Sequence, residues 1–203
     1  MGQISDIQME ALTEIFNIGA GRAASSLSSV VASPVRLSVP RVELYRIEDL
    51  DVDALGIGRK RLGAVLQSYS GPFDAQAMLL FQEENALEIL RDMLGGTMSV
   101  EELSELEQES MCEVGNIILN ACLSAMADVL GVSFDATLPS YSIEHLDTLI
   151  LSSIKSTYQP LMLVLNIDMI IEKRSTQGFL AFLLSYPSLE MLMTHIDRFL
   201  GKI

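Results

Sequence analysis

Sliding the chain against itself by 99 residues brings residues 5–40 onto residues 104–139 without a gap. Eight of those 36 positions are identical, where average composition predicts roughly two by chance. The identical pairs are Ser5/Ser104, Glu10/Glu109, Glu14/Glu113, Asn17/Asn116, Ile18/Ile117, Ser25/Ser124, Val30/Val129 and Pro40/Pro139. Residues 86–90 and 188–192 are also alike, at a slightly different offset. A repeat of this length determines the organisation before any element is assigned. It predicts a single domain over 1–203 built from two repeats, about 1–96 and 100–203, joined near Gly95, Gly96 and Ser99.

Each repeat opens on a helix with a readable start. Ser5 with Gln8, and Ser104 with Glu107, have the spacing of a capping box, in which the hydroxyl and the longer side chain each satisfy the other's backbone amide. Apolar residues then recur at helical spacing: Met9, Leu12, Ile15, Phe16, Ala20, Ala23, Leu27 and Val30, and in the second copy Met111, Val114, Ile118, Leu119, Cys122, Met126 and Val129. Pro34 and Pro40 stop the first pattern and Gly131 the second. Strands are predicted over 35–44, 62–70, 76–81, 140–153, 161–171 and 179–184, and closing helices over 84–94 and 188–200. Strands joined mostly to strands, with helices at the flanks, indicate an α+β fold: an antiparallel sheet flanked by long helices, with pseudo-two-fold organisation.

Opposite the apolar face, Glu10, Glu14, Asn17 and Gly21 fall within about 60° of one another on a helical projection. Glu109, Glu113, Asn116 and Asn120 take the same places in the second copy. A polar stripe is ordinarily solvated surface, and a duplication would copy it. Asparagine, however, costs roughly 0.5 kcal/mol against alanine inside an exposed helix. Two diverged copies that keep acid and amide in register point to chemistry. A carboxamide does not titrate near neutral pH, but it can fix a water by accepting one hydrogen bond and donating another. Phosphoryl transfer asks for an oriented water and for charge neutralisation that a partner can bring. An outward carboxylate can set docking geometry against a partner's cation.

Glu-x-x-Asn with proline 23 residues beyond the asparagine occurs as Glu14, Asn17, Pro40 and again as Glu113, Asn116, Pro139. This pattern, with the flanking Ile15, Phe16, Ile18, Gly19, Ala20 and Gly21 and with Val114, Gly115 and Ile117, resembles the CheC/CheX/FliY phosphatases of bacterial chemotaxis, and the two intact sites and the length resemble the CheC branch. The resemblance implies a CheC-like domain that hydrolyses the aspartyl phosphate of a CheY-like response regulator. Asn17 and Asn116 would orient the attacking water, and Glu14 and Glu113 would dock the regulator's lysine. It also implies no cofactor of the chain's own, Mg2+ arriving with the regulator. Where the family pattern has Asp or Ser, this sequence has Glu10 and Glu109, a possible auxiliary pair. A non-catalytic adaptor for a response regulator or a CheD-like deamidase is the rival reading.

Other features exclude more than they assign. A net charge of −14 argues against a nucleic-acid partner. Cys112 and Cys122 fit neither a disulfide framework nor a zinc site, and His145 and His195 match no ligand spacing, so no metal site is predicted. The apolar run 160–171 is too short to cross a bilayer and no signal peptide is evident, which leads us to expect a cytoplasmic protein without a membrane partner. Asp51 and Asp53 read as a solvated turn, Arg59, Lys60 and Arg61 as a hairpin tip, and Gly19 and Gly115 as packing glycines.

Overall fold

The computed structural model describes residues 4–31, 33–50, 60–93, 99–154, 160–171 and 174–201. In chain order the elements are α1 (Asp6–Val31), β1 (Val35–Arg46), a short 3-10 turn (Ile47–Asp49), β2 (Arg61–Ser70), β3 (Ala75–Gln82), α2 (Glu83–Met93), α3 (Val100–Leu130), β4 (Asp135–Ala136), β5 (Ser140–His145), α4 (Leu146–Ser153), β6 (Leu161–Ile171), β7 (Arg174–Leu184) and α5 (Tyr186–Phe199). The strands form one antiparallel sheet ordered β1-β6-β7-β3-β2, with β4 and β5 both pairing to the far side of β2. This order reads the same from either edge once the two halves are exchanged. The registers correspond as well. Arg46 faces Leu161 as His145 faces Arg61, and Leu37 faces Met169 as Ala136 faces Tyr69.

Alternation along the strands sends one set of side chains toward α1, α2, α3 and α5 and the other toward α4. The first set builds the larger core with Leu12, Ile15, Phe16, Ile89, Met111, Val114, Ile118 and Leu189, and Phe16 stacks on Phe182 with ring centroids 5.4 Å apart. On the opposite face, Leu62, Ala64, Met78, Leu80, Met162 and Val164 pack beneath Leu146, Leu149 and Ile150 of α4. The first residues of β6 are therefore buried on both sides, which explains the unbroken apolar run at 161–165. Part of α3, Glu105–Leu130, is long and apolar enough by composition to cross a membrane. Here its apolar side is core: Met111, Val114, Ile118, Leu119, Cys122 and Met126 are all buried against α1 and the sheet.

Three predicted features are corrected. The second capping box is formed by Ser99 with Glu102, not by Ser104 with Glu107. Ser104 lies inside α3, and the Glu107 carboxylate is buried and receives the Tyr141 hydroxyl instead. The strand expected over 140–153 ends at His145, and Leu146–Ser153 forms α4. Leu146, Leu149 and Ile150 have the spacing of a helix face, which a short apolar run disguises as a strand. Arg61 begins β2, Lys60 immediately precedes it, and β1 pairs with β6 rather than β2, so the expected hairpin tip at 59–61 does not join β1 to β2. Asp51, Asp53, Arg59 and the join at 95–98 lie outside the described residues. Gly131 closes α3 in the left-handed region (φ 65°) that favours glycine.

Helices α1 and α3 cross closely because Gly19 carries no side chain. A Cβ there would lie 2.5 Å from the Cys122 Cα, a backbone atom that cannot move alone. Two residues on, Gly21 faces open solvent with nothing near its missing Cβ. Opposite effects should follow from the same substitution. Gly19→Ala should destabilise the protein by about 1–3 kcal/mol through forced separation of the helices. Gly21→Ala should stabilise it by about 0.5–1 kcal/mol through helix propensity. Urea denaturation midpoints for the two variants check both signs.

Candidate functional site

Burying one side of α1 and α3 turns their acidic stripes outward. Glu10, Glu14, Glu109 and Glu113 are exposed, while Asn17 and Asn116 are half-buried one turn beyond Glu14 and Glu113. Among the described residues none of these four carboxylates has a hydrogen-bond or ion-pair partner, which leaves each available to a cation brought from outside. The two asparagines, alike in sequence, are held in different ways.

The Asn17 carboxamide is occupied by the backbone. Its Oδ1 accepts from the Val39 N–H at 2.9 Å, and its Nδ2 donates to the Val39 carbonyl at 2.9 Å and to the Thr13 carbonyl at 3.0 Å. Strand β1 slips register between Ser38 and Arg41, around Pro40, so Val39 has no ladder partner on β6. Proline cannot donate to a ladder, and the slip it accompanies strands the amide and carbonyl of a residue only 1% exposed. Asn17 satisfies both groups. Its amide protons and one lone pair are consumed, and one Oδ1 lone pair is left.

In the second half the strand breaks outright. Between β4 and β5, Thr137 donates its N–H to the Ser68 carbonyl (3.0 Å), its hydroxyl accepts from the Ser68 N–H (3.1 Å), and its carbonyl accepts from Gln67 Nε2 (2.8 Å). The repeat position of Val39 is Leu138, which is exposed, and Asn116 bonds no backbone group among the described residues. Its Oδ1 lies 2.6 Å from Asn120 Nδ2, Asn120 Oδ1 lies 3.2 Å from the Tyr69 hydroxyl, and that hydroxyl lies 2.7 Å from Gln67 Oε1. The far end of the Asn116 carboxamide has no partner among the described residues. Gln67 and Tyr69 are buried on β2 and reach α3 from about 50 positions away.

Sequence reading did not single out Val39, Gln67 or Tyr69, because nothing local connects them to the asparagines. Apolar surface accompanies both stripes. Ile7, Ile18 and Phe199 are exposed beside Glu10 and Glu14. Leu138, at 91% exposure, precedes Pro139, whose carbonyl accepts from the thiol of Cys112 next to Glu113. Cys122 belongs to the core, and burial pushes its thiol up to about 12, outside the range of a reactive cysteine. Among the described residues no three His, Cys, Asp or Glu side chains gather as a group that could hold a metal ion.

No family model matches the chain. It is 25% identical over 144 residues to the CheY-P phosphatase CheC of Bacillus subtilis, an alignment covering 70% of this chain and 68% of that protein. A CheC1 protein of Halobacterium salinarum is 26% identical over 141 residues, covering 68% of this chain and 71% of its own. The crystal structure of Thermotoga maritima FliY has the same fold, with a TM-score of 0.77 at 17% identity over 97% of this chain and 99% of that one.

The unequal duties of the two asparagines should appear in stability. Asn17→Ala leaves two buried backbone groups of Val39 unpaired and should cost about 1–3 kcal/mol. Asn116→Ala removes no backbone partner, gains helix propensity, and should stay within about 0.5 kcal/mol of the parent protein. Thermal or urea unfolding of the two variants, compared side by side, checks the difference.

Proposed function

We propose, from the premise that this chain belongs to the CheC/CheX/FliY family, that it is a hydrolase for the aspartyl phosphate of a CheY-like response regulator in a two-component pathway. The observation that carries this reading is the second stripe: an exposed, unpaired Glu113 one turn before an Asn116 whose carboxamide is held at one end and open at the other. A docked acyl phosphate needs a water in line with the scissile P–O bond, and a carboxamide fixed at one end can hold that water without titrating. Glu113 would pair with a cation on the regulator and so set the approach, and Leu138 offers apolar contact beside it. Mg2+ and the remaining charge neutralisation would come with the regulator, as a phosphoryl group on a carboxylate requires.

Glu14 and Asn17 form the corresponding half-site on α1, with Glu10 and Glu109 one turn earlier on each helix as auxiliary acids. Because Asn17 keeps only one free lone pair, the second half-site would carry most of the turnover. A second reading has support at the first half. An exposed Glu14 with Ile7, Ile18 and Phe199 around it, beside an asparagine already engaged, suits binding without hydrolysis. There an adaptor surface for a regulator or a CheD-like deamidase is the alternative.

Phosphate release from phosphorylated CheY-like regulators tests both readings. Asn116→Ala should lower kcat about 10²-fold with KM little changed, since it removes water orientation and not docking. Asn17→Ala, measured on folded protein, should stay within about threefold of the parent. A parent protein that binds regulators yet accelerates no dephosphorylation would make it an adaptor, and equal losses from the two variants would contradict the ranking of the halves.

A further inference from the structure

The hydroxyl of Tyr69 has one proton but faces two oxygens, Gln67 Oε1 at 2.7 Å and Asn120 Oδ1 at 3.2 Å. Burial pushes this phenol well above its ordinary value, so it stays protonated and has one proton to give. With Asn120 Oδ1 toward the phenol, two acceptors, one buried and one half-buried, compete for that proton and the phenolic oxygen itself receives none. Such a shortfall is costly in an interior site. Exchanging O and N on a carboxamide moves no heavy atom, so hydrogen-bond counting decides the orientation.

The count has a fixed starting point. Gln67 lies against the Thr137 carbonyl, which can only accept, so its Nε2 points there and its Oε1 points to Tyr69. Tyr69 must then donate to Gln67, and its oxygen becomes the acceptor toward Asn120. Asn120 must turn its Nδ2 to Tyr69 and its Oδ1 to Asn116. Asn116 must donate to Asn120. We infer that Gln67, Tyr69 and Asn120 are positioning residues, a one-way relay anchored at the Thr137 carbonyl that fixes the Asn116 carboxamide with its carbonyl oxygen facing outward. Every member of the chain then has one donor for each acceptor at 2.6–3.2 Å.

The relay exists in one half only. The ladder registers make Ile167 and Met169 the counterparts of Gln67 and Tyr69, and the 99-residue repeat makes Gly21 the counterpart of Asn120. None of those three side chains can pass a directed hydrogen bond. The consequence for hydrolysis rests on the phosphatase reading: an outward carbonyl accepts an O–H from the attacking water and leaves a water lone pair free to meet phosphorus.

Two measurements separate the orientation from the activity. In labelled, unliganded protein, coupling through the hydrogen bond should connect the Asn116 side-chain nitrogen to the Asn120 carboxamide carbon. A coupling from the Asn120 nitrogen to the Asn116 carbon would overturn the inference whatever the protein hydrolyses. In Tyr69→Phe the Asn116-to-Asn120 coupling should vanish and single-turnover dephosphorylation should slow on the order of tenfold. Regulator affinity should be unchanged, because Tyr69 is only 3% exposed and cannot touch a docked partner. An unchanged rate in a folded Tyr69→Phe would remove its positioning role. Should the parent show the predicted coupling but no phosphatase activity, the orientation stands and the hydrolytic reading alone fails.

Discussion

Close contact between α1 and α3 at Gly19 and Cys122 is the constraint from which the presentation of both stripes follows. Each helix has one apolar side to bury and two neighbours to bury it against, the other helix and the sheet. Gly115 over Val65 brings α3 down onto β2 as Gly19 brings α1 against α3. With both approaches fixed, the rotation of each helix about its axis is no longer free, and Glu14 and Glu113 must face away. An exposed ion pair, Arg22 with Asp128 at 2.6 Å, also joins the helices, but at that exposure it adds little beside the packing.

Within this shared frame the halves differ in how each treats a strand interrupted by proline. Backbone groups that leave a ladder must find other partners. In the first half the helix supplies them, through Asn17. In the second the equivalent residue, Leu138, is turned out to solvent, and Asn116 bonds no backbone group among the described residues. The same residue type at the same helical position thus serves the fold in one half and is released from it in the other. Asparagine at both positions therefore does not by itself indicate two equal sites.

Much of the architecture was legible because it is local. Helical and alternating periodicities gave α1, β1, β2, β3, β6 and α5 to within a few residues, and the shared apolar periodicity of 9–30 and 111–129 gave the inward faces except at Val30, which the end of α1 leaves exposed. The misses have local causes too. Ser99-x-x-Glu102 and Ser104-x-x-Glu107 are equivalent as sequence patterns, and only the packing of Glu107 against Tyr141 distinguishes them. The short α4 is apolar enough to pass for a strand because one face packs on the sheet. The candidate site divides the same way. Helical spacing was enough to align Glu and Asn on one stripe. The partners that decide what each asparagine does lie on strands 22 or about 50 residues away, where no periodicity reaches.

The break between β4 and β5 also accounts for a feature that would otherwise be unfavourable. Leu138 occupies the repeat position of Val39, yet Val39 is 1% exposed and Leu138 is 91% exposed. Leaving a leucine in water forgoes about 1.5–3 kcal/mol of burial. A strand that kept the path of β1 would recover that energy by turning the residue inward, and its unpaired backbone would then need Asn116 as Val39 needs Asn17. Turning Leu138 out to solvent removes that demand and frees the carboxamide. The open amide and the exposed apolar side chain are two results of one backbone choice, so neither could be changed by substitution at the helix alone.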